Sequence, residues 1–280
     1  MDQLYFGTGG VPRSARARST IDGINRIAEL GLGCMEIEFV RGVKMGEASA
    51  REVARVAMQR GVRLSVHAPY YINLNSHEPD KVKASQARLL QAARIGALCG
   101  AQTVNFHAAF YLGDPPDEVY PRVKQCLQEV ISELQKENNR IRIRPEVMGK
   151  GTEFGTIEEI LNLCIEMEGI APGIDFAHLH ARNGAVNSYA EFSAVFHQVE
   201  GRLGRAALED IHIHFSGIKY GAKGEISHLD LEKSDLKYVE LLRALRDFKV
   251  KGLVICESPN LEEDAALLKA TYENLLKATT

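Results

Sequence analysis

The sequence predicts a closed (β/α)8 barrel, the TIM-barrel arrangement, in one domain over residues 1–280. Three observations carry the prediction. Strand-like apolar runs alternate with amphipathic helical spacings eight times. The connections are short, and no low-complexity tract or shift of composition marks a linker. The chain length of 280 residues suits a barrel of this kind, which takes ~250 residues. Such alternation builds a parallel sheet with right-handed crossovers. An open doubly wound sheet is the alternative, but no Gly-x-Gly-x-x-Gly turn follows the first strand.

Residues 3–8 are the first strand, ended by Gly9 and Gly10. Ile21, Ile24, Ile27, Ala28 and Leu30 then fall at helical spacing, with Thr20 as the expected N-cap and Gly31 as the stop. Cys34–Val40 is the second strand, and residues 48–60 form a helix with Val53, Val56, Ala57 and Met58 on its apolar side. In the third strand Val62, Leu64 and Val66 alternate with Arg63 and Ser65, and Pro69 closes it just after His67. Asp80 is expected to cap the next helix, which runs to Gly100. Thr103–His107 is strand four, residues 117–137 a helix with Pro121 in its first turns, and Ile141–Glu146 strand five. Thr156-Ile-Glu-Glu159 and Ser188-Tyr-Ala-Glu191 read as capping boxes. Gly173–His178 and Ile211–Phe215 are strands six and seven, and residues 235–247 are a helix. Leu253–Glu257 is strand eight, and Asn260-Leu-Glu-Glu263 is expected to cap a final helix through Leu276.

Composition narrows the function classes. With 45% hydrophobic and 25% charged residues the chain is ordinary globular protein. A net charge of −3 does not advertise nucleic-acid binding, which would need a local basic patch. Cys34, Cys99, Cys126, Cys164 and Cys256 are scattered and form no Cys-x-x-Cys pair, as expected of reduced thiols in a cytoplasmic protein. The N-terminus carries no basic region followed by an apolar core, and no apolar run approaches the ~20 residues of a membrane helix. The expectation is a cytoplasmic monomer with no membrane partner.

The carboxyl ends of barrel strands converge on one face. Here they carry an unusual set. His67 ends strand three, His107 strand four, Glu146 strand five, and Asp175 with His178 strand six. His212 and His214 lie on strand seven, Glu225 and His228 follow it, and Glu257 ends strand eight. Six of the nine histidines belong to this set, which leaves His77 and His197 to the surface and His180 behind the ring. Singly, each is an ordinary hydrogen-bonded residue. Together they would bury many charges without a counter-ion, at high cost. Imidazoles and carboxylates without thiolates suit zinc, manganese or iron.

These motifs resemble the endonuclease IV family of apurinic/apyrimidinic endonucleases, within the xylose-isomerase-like barrels. The resemblance runs in order over nearly the whole chain. His67-Ala-Pro-Tyr-Tyr-Ile-Asn-Leu matches the family's HAPYLINL, and Phe106-His107 its FHPG. Glu146 matches the glutamate of LENTAG, Asp175-Phe-Ala-His178 matches DTCH, His214 matches the histidine of HLND, and Glu257-Ser-Pro matches LETP. The resemblance implies a site of two or three zinc ions, or manganese in their place. His67, His107 and Glu146 would hold one ion, and Glu146 with Asp175, His214 and Glu257 a second. His178 and His228 would hold the third, and Glu146 is the implied catalytic carboxylate. The implied reaction is hydrolysis of double-stranded DNA on the 5′ side of an abasic site, leaving a 3′-hydroxyl.

The departures concentrate on the third ion. FHPG becomes Phe106-His-Ala-Ala109, LENTAG loses its asparagine in Pro145-Glu-Val-Met-Gly149, and the family's Asp-Arg-His becomes Glu225-Ile-Ser-His228. Whether Glu225 replaces the aspartate stays open, and His214 is preferred to His212 because it lies nearer the strand end. For DNA contact, Tyr70 and Tyr71 sit beside His67, where a flat side chain can enter a base stack. Arg41 and Lys44, Arg13, Arg16 and Arg18, Lys150, Arg182, Lys219 and Lys223 place positive charge on loops of the same face. The competing function is a metal-dependent sugar isomerase or epimerase of the same superfamily. A barrel that binds no metal is the third reading.

Overall fold

The structure is a computed structural model that describes residues 1–278. Its eight parallel strands are β1 (Leu4–Gly9), β2 (Cys34–Glu38), β3 (Arg63–His67), β4 (Thr103–Phe106), β5 (Arg142–Pro145), β6 (Gly173–Asp175), β7 (Ile211–Phe215) and β8 (Gly252–Cys256). The sheet order is β5-β4-β3-β2-β1-β8-β7-β6. Parallel bridges Ile143 to Ile170 and Glu146 to Gly173 join the two edges, so the sheet closes on itself. Barrel and alternation are as the sequence predicts.

Several boundaries differ. Ser19, not Thr20, caps the first helix, accepting from the Asp22 backbone N–H at 3.1 Å. The helix after β3 begins at Pro79, a residue suited to the first helical position, and Asp80 lies inside the first turn rather than capping it. The Thr156 capping box is complete, whereas the Glu191 carboxylate accepts from the Asn187 N–H and the Ser188 hydroxyl rather than the Ser188 N–H. The final helix starts at Glu262 with no side-chain cap, because Asn260 bonds Asp264 instead. Met58 is 79% exposed, so the apolar side of Glu47–Arg60 is narrower than its spacing implies.

The period of two along the strands sorts residues to two sides of the sheet. Leu64, Val66, Val104, Phe106, Ile143, Ile174, Ile213 and Val254 face outward and pack with the helices in one continuous core. The barrel interior is different. Among the described residues, Cys34, Leu253 and Ile255 form a small apolar cluster there, with Met1 and Tyr5 packed on it. Buried polar side chains occupy the rest, among them Glu36, Ser65, His67, Thr103, Asn105, Arg144, Asp175, His212 and His214.

Arg144 braces the closure of the barrel from inside, and only 2% of its side chain is exposed. It donates to Thr103 Oγ1 at 2.8 Å, to the Pro172 carbonyl at 2.8 Å and to Asp210 Oδ2 at 2.9 Å. Arg144→Met is therefore expected to lower unfolding free energy in urea by about 1–3 kcal/mol, the range for leaving buried acceptors without their donor. A loss below ~1 kcal/mol would remove this bracing role.

Candidate metal centre

The interior column ends at the carboxyl face in a ring of imidazoles and carboxylates. Glu146, directly after β5, is its middle. Oε2 lies 3.4 Å from His67 Nε2, 3.7 Å from His107 Nε2 and 3.3 Å from His214 Nδ1. Oε1 lies 3.1 Å from His178 Nδ1. Asn105 Nδ2 also donates to Oε2. Asn105 reaches this place because residue 173 is glycine, whose absent Cβ would otherwise lie 2.1 Å from Asn105 Oδ1.

Backbone carbonyls turn several rings. His67 Nδ1 donates to the Ala68 carbonyl at 2.8 Å, which leaves Nε2 for the cavity. His178 Nδ1 donates to Val147 at 3.0 Å and His228 Nδ1 to Glu257 at 3.2 Å. His178 does not end a strand as expected. Asp175 ends β6, and its carboxylate accepts the His178 N–H at 2.7 Å, starting the helix Phe176–Asn183 that carries His178 into the ring.

All eight ligands expected from the sequence lie in this ring or on its rim. Three donor sets, each with atoms within 4.8 Å of one another, are His67–His107–Glu146, Glu146–Asp175–His214 and Asp175–His178–His228. Glu257 Oε2 is 3.5 Å from His214 Nδ1. Glu225, left open by the sequence, faces His178 Nε2 at 3.5 Å and His228 Nε2 at 4.0 Å. Its position depends on an antiparallel hairpin, Gly217–Gly221 with Gly224–Leu229, where the sequence showed only a loop. Gly224, at φ +93, docks the hairpin against Gly149, leaving no space for a Cβ.

Sequence reasoning missed Glu36 and Glu38. With Glu257 they form a further set of carboxylates within 4.8 Å, and Glu36 forms another with His212 and His214. The signal was present, because the two glutamates alternate with Met35 and Ile37 just as the β7 histidines alternate with isoleucines.

The donor set fits divalent cations. Glu146 Oε1, Asp175 Oδ2, both oxygens of Glu38 and His214 Nδ1 are buried without a hydrogen-bond partner. Such atoms are costly unless something satisfies them, and a cation does so. The electrostatics agree. Burial alone would raise the Glu146 carboxyl, but the neighbouring His214, His107 and His178 hold it well below the usual range. Burial pushes Glu38 up to about 8, with Glu36 and Glu257 adding to the rise.

Outside the ring, His180 bonds the Ala185 carbonyl and packs on Tyr220 of the hairpin, so it steadies that hairpin. His77 is exposed against Asp114, and His197 packs on Phe248. Tyr70 stacks on His107 with ring centroids 5.4 Å apart, and Tyr71 is 55% exposed. Arg41 is exposed after β2. Arg182, expected on the basic face, is instead spent on the Met148 and Glu153 carbonyls.

A polar barrel interior ending in a multidentate metal-type ring defines the class. The family model described as xylose isomerase-like TIM barrel matches residues 24–277, and the chain belongs to that family. An uncharacterized protein of Methanocaldococcus jannaschii is 43% identical over 273 residues, 97% of this chain and 98% of that one. A probable endonuclease 4 of Mycoplasma genitalium is 23% identical, covering 70% of this chain and 67% of its own. Among solved structures, endonuclease IV from Thermus thermophilus superposes with a TM-score of 0.74 at 18% identity, covering 97% of this chain and 99% of that one. A D-tagatose 3-epimerase-like protein superposes at 0.72, also at 18% identity, over 97% of each chain. These two likenesses carry the fold. No helix among the described residues is long and apolar enough to cross a membrane.

Proposed function

We propose that the chain is a divalent-cation-dependent endonuclease that hydrolyses double-stranded DNA on the 5′ side of an abasic site and leaves a 3′-hydroxyl. One observation carries this reading: the three donor sets overlap, sharing first Glu146 and then Asp175. Shared carboxylates are what adjacent ions need to sit close without excess positive charge, and close ions suit phosphoryl displacement. His67, His107 and Glu146 would hold one ion, and Glu146, Asp175, His214 and Glu257 a second. His178 and His228, with Glu225 beside them, would hold the third. Zinc fits these nitrogen and oxygen donors, and manganese is the substitute.

When bound, such ions supply Lewis acidity at a phosphoryl oxygen and make water a nucleophile at neutral pH. The protein residues do the rest. Glu146 spans the sets with both oxygens. Tyr70, stacked on His107, presents a flat ring at the mouth, and Tyr71 and Arg41 extend the contact surface toward the duplex. Lys219 and Lys223 are exposed on the hairpin and available to phosphates.

The test is a duplex carrying one tetrahydrofuran abasic analogue. A single cut leaving a 3′-hydroxyl is expected from zinc-loaded protein. The second reading, a sugar isomerase or epimerase, is favoured by the polar donors that continue below the ring, Glu36 and His212. Ketose turnover with the duplex left intact would establish it instead.

Zinc uptake should release protons. Burial alone would lower the His67 pKa, but Glu146, Glu38 and Glu36 outweigh it and hold it at about 10. His178 is likewise lowered by burial and raised to about 10 by Asp175, Glu146 and Glu225. Both are therefore cationic at pH 8 without metal and must be neutral to ligate. His214, lowered by burial but raised well above the ordinary value by Glu257, Glu146 and Glu36, adds to them. Calorimetry at pH 8 in buffers of different ionisation enthalpy should show release of at least two protons per chain, with affinity rising toward pH 10. No buffer dependence would contradict ligation by these two residues.

A further inference from the structure

Below the ring, Glu36 on β2 reaches across the barrel interior to β7. Its Oε1 accepts a hydrogen bond from His214 Nε2 at 2.7 Å. Its Oε2 lies 3.0 Å from His212 Nε2, and the two histidine Nε2 atoms are 3.2 Å apart. None of the three is more than 1% exposed. A proton on Nε2 satisfies the bond to Glu36, so Nδ1 is the nitrogen positioned to ligate. Nδ1 is buried, has no hydrogen-bond partner and faces Glu146 and Glu257 at 3.3 and 3.5 Å. One ring thus turns Nε2 down to Glu36 and Nδ1 up to the carboxylates.

We propose that Glu36 is a positioning residue for the metal centre. It holds His214 in the Nε2–H tautomer and aims Nδ1 at the Glu146–Asp175 donors. It also strengthens that nitrogen as a ligand, as an anionic acceptor behind a ligating histidine does. His212 lies against the other oxygen of Glu36. This assigns a role to an interior residue outside the expected ligand set. It rests on the proposed metal reading.

The experiment combines zinc titration with 15N-imidazole NMR of the full chain. In the zinc-loaded wild type, His214 should be bound through Nδ1 and keep a protected Nε2–H, a measurement that needs no variant. Glu36→Ala should weaken the zinc that His214 holds by about 10–100-fold and expose the Nε2–H to exchange. Glu36→Gln retains an acceptor oxygen and should recover most of the affinity. Coordination of His214 through Nε2, or a Glu36→Ala affinity equal to wild type, would overturn the role of Glu36 and leave the metal centre standing. A wild-type chain that binds no zinc would overturn the metal reading and this inference with it.

Discussion

Glu146→Gln should strip the chain of zinc and of cleavage of abasic duplex DNA. The carboxylate faces four imidazoles, from His67, His107, His178 and His214, and belongs to two of the three overlapping donor sets. Glutamine preserves the shape but removes the charge and one acceptor oxygen. The loss of zinc affinity should therefore exceed the ~100-fold upper range seen for residues that act only behind a ligand. Elemental analysis after dialysis, together with a cleavage assay, reads the effect. Retained zinc at wild-type stoichiometry would remove Glu146 from its shared position. The substitution also leaves cationic imidazoles without their partner, so the metal-free variant should lose about 3–5 kcal/mol of stability. Urea unfolding separates this loss from that of metal.

The second large effect is on heat stability. The metal-free ring is an electrostatic liability, with carboxylate oxygens lacking donors and histidines held cationic inside the barrel. An ion that binds only the folded chain shifts unfolding by mass action. At free zinc 1,000-fold above its dissociation constant, the gain is about 4 kcal/mol. For a chain of this size that raises Tm by roughly 7 °C. Scanning calorimetry with zinc and with a chelator should show this difference. Superimposable transitions would mean that the ring does not take up zinc.

The barrel was legible because alternation is a local property. Each strand declares itself through a few β-branched or aromatic residues, and each helix through its apolar spacing. The ring was legible for a related reason, because His67, His107, Glu146 and Glu257 end apolar runs where a charge has no packing role. Glu36 and Glu38 escaped notice because Phe39 and Val40 continue the apolar run beyond them, so neither ends the strand as its sequence reads. His178 was placed on a strand because a capping aspartate and a strand-terminal aspartate look alike in one dimension. The hairpin around Glu225 was hidden because its pairing depends on Gly224 meeting Gly149, a contact between residues distant in sequence. Helix caps failed in a smaller way. Ser19 and Thr20 both carry a hydroxyl oxygen that can accept from a helix start, and backbone geometry selects Ser19.

The two-sided sheet separates folding from chemistry. The hydrophobic driving force resides between the strands and the helices, whereas the reacting groups occupy the inward-facing positions. A mutation among the inward groups at the carboxyl end therefore alters the ring while leaving the seam between strands and helices in place. Such a scaffold can exchange its reactive interior piecemeal over evolutionary time while its shell is inherited intact. An endonuclease and an epimerase-like protein, equally distant in sequence, then superpose on this chain almost equally well.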